Sequence, residues 1–147
     1  MDDTNALAVT LFSEILTVDQ LLRNRLSRVL PKGMEISHFS VLNHLVGKGE
    51  ETTPAQLAKS FHLTRGAMTN TLSKLEWAGW VHVRPDWDDA RRKKVSISPS
   101  GLAARDAGVA VIAPLIADVV GKVGADRVKT VLPVLREMRM RLTENKP

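Results

Sequence analysis

The chain has 147 residues, of which 44% are hydrophobic and 25% are charged, a composition typical of a single folded domain and not of a disordered tail. It contains no cysteine, which excludes disulfides, thiolate metal ligands and thiol redox sensing. Its 21 Lys+Arg against 16 Asp+Glu give a formal net charge of +5, which favours a polyanionic partner without requiring one.

The first predicted element is a long amphipathic helix that ends before Pro31-Lys32-Gly33. Apolar residues recur at spacings of three and four and form one stripe: Leu7, Leu11, Ile15, Val18, Leu22, Leu26 and Val29. Such a stripe is too long for its short neighbours to cover. We therefore expect a second copy of the chain to bury part of it.

A run of short helices is predicted to follow. Ser37 is expected to cap the first of them, and Gly47-Lys48-Gly49 ends it. Thr53 followed by Pro54 places a hydroxyl at the cap and proline at the first helical position of the second helix, which extends to Phe61.

The third short helix is capped by Thr64, runs through Trp77 and ends at Gly79. Together with the second helix and the tight turn at His62-Leu63, it matches the helix-turn-helix that enters the DNA major groove. Apolar side chains fall where the small core of such a unit needs them: Leu57, Ala58, Leu63, Met68, Leu72 and Leu75.

The start of this third helix carries short or hydrogen-bonding side chains, which permit close approach to base edges: Thr64, Arg65, Gly66, Ala67, Thr69 and Asn70. Arginine with guanine and asparagine with adenine are the bidentate pairs that geometry favours. The alternative is a capped helix with a solvated face. The two interpretations are equally supported by this segment alone, because its spacing recurs in many helical proteins.

A β-hairpin with a long tip is predicted from the stretches at 81–84 and 94–97. Its tip and descending strand carry four consecutive cations, Arg91-Arg92-Lys93-Lys94, which must face solvent or a polyanion. A cationic hairpin beside a helix-turn-helix suits phosphates and a narrow minor groove, whereas a solvated charge run is the plainer alternative. Asp89 is placed to hold the Arg91 guanidinium.

Two long helices are predicted after the hairpin. Ser98 followed by Pro99 starts the first, the segment 121–124 is expected to break the chain, and Pro114 and Pro133 are expected to kink or split their helices. The last helix carries a second apolar stripe: Val128, Val131, Leu132, Leu135, Met138 and Leu142.

The predicted fold is mainly α with a small β-hairpin wing (α+β). It is a winged helix-turn-helix at 31–98, flanked by helical dimerisation regions at 1–30 and 99–147. The acidic start of the chain is unlike a signal peptide, and the weakly polar run 107–117 is too short to span a bilayer. We therefore expect a cytoplasmic protein without a membrane partner.

The wing and the helix before it resemble the MarR (multiple antibiotic resistance) family of regulators, and the order of elements extends this resemblance over nearly the whole chain. The matching residues are Gly79-Trp80-Val81, Pro85, Asp89-Ala90-Arg91, Val95-Ser96-Ile97-Ser98 and Gly101 in the wing, with 63–69 and Leu75-Glu76 in the helix. Two positions depart from the pattern. Val83 stands where the family often has arginine, with Arg84 one residue on, and Ser98 replaces a usual threonine while preserving the cap.

The resemblance implies a homodimer whose terminal helices interlock and whose two heads bind double-stranded DNA, with a small-molecule effector releasing a repressor. It implies base reading by Arg65, Thr69 and Asn70 and insertion of Arg91, oriented by Asp89, into the minor groove. Contacts to the DNA backbone are then expected from these residues: Ser37, Thr53, Thr64, Lys74, Arg92 and Lys93.

The resemblance also places Phe12 and His38 where the walls of relatives' effector clefts run, although a packing role explains both. The four histidines lack metal-ligand spacing, and no metal or cofactor is expected. An enzyme is not expected either, because no nucleophile elbow, phosphate loop or dinucleotide fingerprint is present. Two other functions are compatible with the same fold: a sequence-nonspecific architectural DNA binder and a winged helix that docks a protein.

Overall fold

The computed structural model describes residues 2–144 and contains six helices and one two-stranded antiparallel sheet within that range. In chain order these are α1 (Asp3–Val29), α2 (Ile36–Lys48), α3 (Pro54–Ser60), α4 (Arg65–Trp77), β1 (Val81–Pro85), β2 (Lys93–Ile97), α5 (Pro99–Val123) and α6 (Ala125–Glu144). The predicted mainly α fold with a small hairpin wing is confirmed. The chain divides after Ala110 into two compact units.

Side-chain caps fix the starts of α3 and α4 as predicted. The Thr53 hydroxyl accepts from the Gln56 N–H at 3.1 Å, and the Gln56 side chain accepts in return from the Thr53 N–H at 3.1 Å. The Thr64 hydroxyl accepts from the Ala67 N–H at 3.1 Å. Both hydroxyls therefore satisfy N–H groups that have no partner inside the helix.

The predicted cap of α2 was wrong. The helix begins at Ile36 after Glu35, so Ser37 is an exposed residue within its first turn. The Glu35 N–H donates to Nδ1 of the buried His38 at 3.1 Å. A histidine packed into the core thus satisfies the backbone at the cap, and the helix starts before the serine is reached.

The core of the first unit lies between α2, α3, α4 and the hairpin. Its fully buried side chains include Leu42, Leu57, Met68, Leu75 and Val95. Five of the six residues predicted for the helix-turn-helix core are buried, but Leu63 is 46% exposed. The turn after α3 explains this exception. The Leu63 N–H donates to the Ala58 carbonyl at 2.9 Å and closes the helix, directly after His62 in the left-handed conformation. The Leu63 side chain stays at the surface.

The hairpin pairs Val81 with Ile97 and Val83 with Val95, and each strand extends one residue further toward the tip than predicted. Thr52, in the loop before α3, adds a bridge to the far side of β2, with hydrogen bonds of 3.0 and 2.7 Å to Val95. The base of the wing is thus attached to the helix-turn-helix by backbone hydrogen bonds.

The end of the hairpin is fixed to α5 by a buried hydroxyl. Ser98 donates to the Gly79 carbonyl at 2.6 Å and accepts from the Gly101 N–H at 2.9 Å. The backbones approach so closely here that a Cβ on Gly101 would lie 1.9 Å from the Trp80 carbonyl oxygen. Serine therefore provides the hydroxyl that the cap requires, and glycine provides the space.

The break predicted within 121–124 is present and is confined to a single residue between the two C-terminal helices. α5 runs through Gly121, and only Gly124, at φ +112°, separates it from α6. Pro114 and Pro133 lie inside their helices and do not split them. Gly121 stays in the helix because glycine costs only about 1 kcal/mol there relative to alanine. Gly124 ends the helix because its positive φ lies outside the helical region.

α1 leaves its apolar side chains in solvent, and none of its described residues is buried. The helix is long and apolar enough by composition to cross a membrane, but Glu14 and Asp19 lie near its middle, where a bilayer makes carboxylates costly. An exposed apolar surface of this extent is typical of an interface with another protein.

Candidate nucleic-acid interface

An open groove runs between α4 and the wing. Its lining residues come from the start of α3, from one side of α4 and from the strands and tip of the hairpin: Pro54, Ala55, Arg65, Thr69, Leu72, Ser73, Glu76, Val83, Arg91, Arg92 and Lys93. Four of these side chains are cationic and one is acidic. The groove therefore favours a polyanion.

α4 presents two different surfaces next to its buried side. Met68, Leu72 and Leu75 face the core, while Arg65 and Thr69 face the wing across the groove. Asn70 is exposed but is not among the groove residues, because each residue advances the helix by about 100°. Two of the three predicted base-reading residues therefore lie together, and the third occupies the adjacent outer face.

Gly66 shares this outer face with Asn70. A Cβ placed on Gly66 would meet no atom within 4 Å, so the internal packing of the protein does not require glycine here. The absence of a side chain leaves the backbone of the first turn accessible from outside. That is the property that close approach of a helix to base edges needs.

The predicted contacts to the DNA backbone fall into different environments. Arg92 and Lys93 line the groove, and Thr64 is an exposed cap beside it at the start of α4. Thr53 is buried and already accepts a backbone hydrogen bond. Lys74 and Ser37 are exposed, but they line other clefts of the first unit.

Arg91 projects from the wing with its side chain 91% exposed. Its Nε and Nη2 lie 3.1 and 3.3 Å from the two carboxylate oxygens of Asp89, whose Oδ1 also accepts from the Arg91 backbone at 3.0 Å. These hydrogen bonds hold the pKa of Asp89 below its usual value, so the carboxylate is ionised at neutral pH. The guanidinium is thus oriented by a neighbour and open to solvent on its other side.

Arg84 has a role that sequence reasoning missed. Its Nε and Nη2 donate to the Glu51 carboxylate at 2.9 and 2.5 Å, and its Nη1 donates to the Pro85 carbonyl at 2.8 Å. The guanidinium also lies 5.1 Å from the centre of the Trp87 ring. No signal in the sequence indicated this, since Glu51 and Arg84 are 33 residues apart.

The two predicted effector residues differ in their surroundings. His38 is buried, lies edge-on to Trp80 at 6.4 Å and lines a cleft with Lys32, Lys74 and Trp77. Phe12 is 63% exposed on α1 and is not among the residues of that cleft. Over residues 2–144, no group of three or more histidine and carboxylate side chains is placed to hold a metal ion.

Comparison with known sequences connects these elements to a family. A MarR family model matches residues 32–92, which contain α2, α3, α4 and most of the wing. The multiple antibiotic resistance protein MarR of Salmonella typhimurium is 34% identical over 85 residues, which make up 58% of this chain and 56% of that protein. The matched segment therefore spans about half the length of this curated relative.

Solved structures extend the similarity to nearly the whole chain. A crystal structure of mutant MarR from E. coli complexed with operator DNA is 26% identical, with a TM-score of 0.80 over 94% of this chain and 99% of that one. An organohalide-sensing transcriptional regulator in its 2,4-dichlorophenol-bound form shares the fold, with 16% identity and a TM-score of 0.83 over 96% of this chain and 85% of that one.

Proposed function

The chain belongs to the MarR family of winged helix-turn-helix transcription regulators, and on that basis we propose that it represses transcription by binding a pseudo-palindromic DNA operator as a homodimer. The observation that carries the proposal is the groove between α4 and the wing, which brings Arg65, Arg91, Arg92 and Lys93 together. The similarity to a MarR protein complexed with operator DNA supports the same function.

In this proposal α4 lies in the major groove and the wing follows the adjacent backbone. The Arg65 fork matches the O6 and N7 acceptors of guanine, Asn70 matches adenine, and Thr69 contacts either a base or a sugar. Arg91, preset by Asp89, enters the minor groove. Arg92, Lys93 and the α4 cap supply phosphate contacts, which fix register without selecting sequence.

The homodimer in the proposal uses residues 1–30 and 99–147, and the DNA-binding region is 31–98. The exposed apolar side chains of α1 and α6, such as Leu7, Ile15, Leu132 and Leu135, support this division. An apolar surface of this kind is stabilised when a second copy covers it. Two heads about 34–36 Å apart would read half-sites one helical turn apart.

Release by an effector follows from the same geometry. A ligand that binds better to a dimer with a different head separation lowers DNA affinity by that difference in binding free energy, typically about 1–3 kcal/mol. We propose a small aromatic or lipophilic anion as the effector, with Phe12 and His38 near its site. The 2,4-dichlorophenol-bound relative supports this ligand class.

The first test measures the affinity for mixed-sequence duplex DNA over a range of salt concentrations. The logarithm of the association constant is expected to fall linearly with the logarithm of salt concentration. Arg92→Ala and Lys93→Ala should each reduce the slope by about 0.9, because each removes one phosphate contact. Lys129→Ala, an exposed cation on α6, is the matched control and should leave the slope unchanged.

Undetectable DNA binding even at low salt would contradict the proposal and favour a winged helix that docks a protein. Equal reductions of the slope in Lys129→Ala and in the two wing variants would show that total charge, and not the groove, determines binding.

The effector proposal predicts a rise in melting temperature with some members of a panel of aromatic carboxylates and phenols. A ligand that binds only the folded protein stabilises it by mass action, about 2.7 kcal/mol at a hundredfold excess over its dissociation constant. The same compounds should weaken DNA binding. A flat thermal response across the panel, together with intact DNA binding, would count against an effector of this class.

A further inference from the structure

The base of the wing contains an ion pair that connects it to the helix-turn-helix. Glu51 directly precedes Thr52, whose backbone bonds to Val95 of β2, and its carboxylate binds the Arg84 guanidinium of β1 at both oxygens. Arg84 therefore reaches from β1 past β2 to the loop before α3. We call Glu51 and Arg84 the wing-base pair.

The wing-base pair also contacts the tip of the wing. The guanidinium of Arg84 lies over the ring of Trp87, which is otherwise 78% exposed. Beyond Trp87 the tip closes through backbone hydrogen bonds from Asp86 to Arg92 at 3.1 Å and from Arg92 to Asp89 at 2.9 Å. Asp89 in turn orients Arg91. Glu51 is thus linked to the exposed guanidinium of Arg91 through the contacts of Arg84 with Trp87, the short tip segment 86–89 and the hydrogen bonds of Asp89.

The exposure of the two wing arginines separates their roles. The side chain of Arg84 is 33% exposed and all three of its nitrogens donate within the protein, whereas that of Arg91 is 91% exposed. Three of the five N–H donors of the guanidinium are thus used inside the protein, which makes Arg84 a poorer phosphate ligand than a free arginine. Its planar fork and its position over an indole instead suit a fixed structural contact.

Glu51 is ionised at neutral pH, because the hydrogen bond from Arg84 lowers the pKa of its carboxyl and nearby Lys94 adds to the effect. A negative charge beside a cationic wing weakens attraction to DNA if charge alone counts. Long-range attraction to DNA therefore does not explain an acidic residue at this position, whereas its contact with Arg84 does.

We infer that the wing-base pair positions the wing for DNA binding, so that Glu51, although acidic, increases affinity for the operator. This inference rests on the proposed function. Arg84 is then a positioning residue that acts through Trp87 and the tip on Arg91. Charge alone predicts that neutralising Glu51 strengthens DNA binding. The inference predicts the opposite, that neutralising Glu51 weakens it.

The test measures affinity for a selected operator with Glu51→Gln and with the matched control Glu50→Gln, which removes the neighbouring exposed charge. Glu51→Gln should weaken binding roughly three- to tenfold, part of the loss expected for a missing minor-groove arginine. It should also reduce discrimination between A·T and G·C pairs at the flanks that the wing contacts, while preference within the half-sites persists. Glu50→Gln should bind as the wild type does, or more tightly.

A second variant separates positioning from phosphate contact. Arg84→Gln should weaken binding about as much as Glu51→Gln and leave the salt slope unchanged. A reduction of the slope by about 0.9 would instead identify Arg84 as a phosphate ligand and overturn the inference. Binding by Glu51→Gln that equals or exceeds that of Glu50→Gln would overturn it as well. A wild-type protein that binds no DNA would contradict the proposed function itself, and the inference with it.

Discussion

Replacing Gly101 with alanine is expected to destabilise the protein by about 3 kcal/mol or more, at the upper end of what overpacking costs. A Cβ at this position would lie 1.9 Å from the Trp80 carbonyl oxygen and 2.9 Å from Cγ1 of Ile97. The neighbouring backbone cannot move away freely, because the Ser98 hydroxyl bonds to both Gly79 and Gly101. The measurement is urea-induced unfolding at one fixed protein concentration.

Gly121→Ala is the matched control in the same helix. A Cβ at Gly121 would meet nothing within 4 Å, so this substitution should stabilise the protein by up to about 1 kcal/mol through helix propensity. Equal stability of Gly101→Ala and the wild type would show that the hairpin and α5 do not pack as closely as described.

Replacing Arg65 with alanine is expected to lower operator affinity by about 1–3 kcal/mol, roughly 5- to 150-fold, and to relax the preference at one base pair of each half-site. The reason is that a bidentate contact is lost and a base edge stays unpaired. Arg65 lies in the groove at the first turn of α4 and faces the wing. The measurement is competition between operator duplexes that differ at single positions.

Arg136→Ala, at an exposed position of α6, provides the control for the loss of one positive charge and should not change the base preference. A uniform loss of affinity across all sequences in Arg65→Ala would show that Arg65 binds phosphate. The base-reading role would then pass to Thr69 and Asn70.

Local signals in the sequence were enough to predict most element boundaries. The caps at Thr53 and Thr64 and the hairpin strands depend on residues close together in the chain, and the structure agrees with them. The start of α2 was misjudged because a buried histidine, which no local rule identifies, satisfies its cap. The break predicted within 121–124 falls at Gly124, whereas the helix tolerates Gly121 at modest cost.

The candidate site could be predicted only in part. Arg65 and the wing cations follow from spacing and charge, and the Asp89–Arg91 contact follows from proximity in the chain. The wing-base pair joins residues far apart in sequence, so only the folded hairpin brings Glu51 to Arg84. Asn70 lies outside the groove because it is one residue past Thr69, and each residue of a helix is rotated by about 100° from the last. Choosing residues by polarity alone does not take this rotation into account.

The most direct test of the central claim is selection of binding sites from a random duplex library at about 150 mM salt, near physiological ionic strength. A dimeric winged helix-turn-helix should enrich a pseudo-palindrome whose half-sites are centred about 10–10.5 base pairs apart. Tight binding without an enriched sequence would contradict the claim and favour an architectural DNA binder.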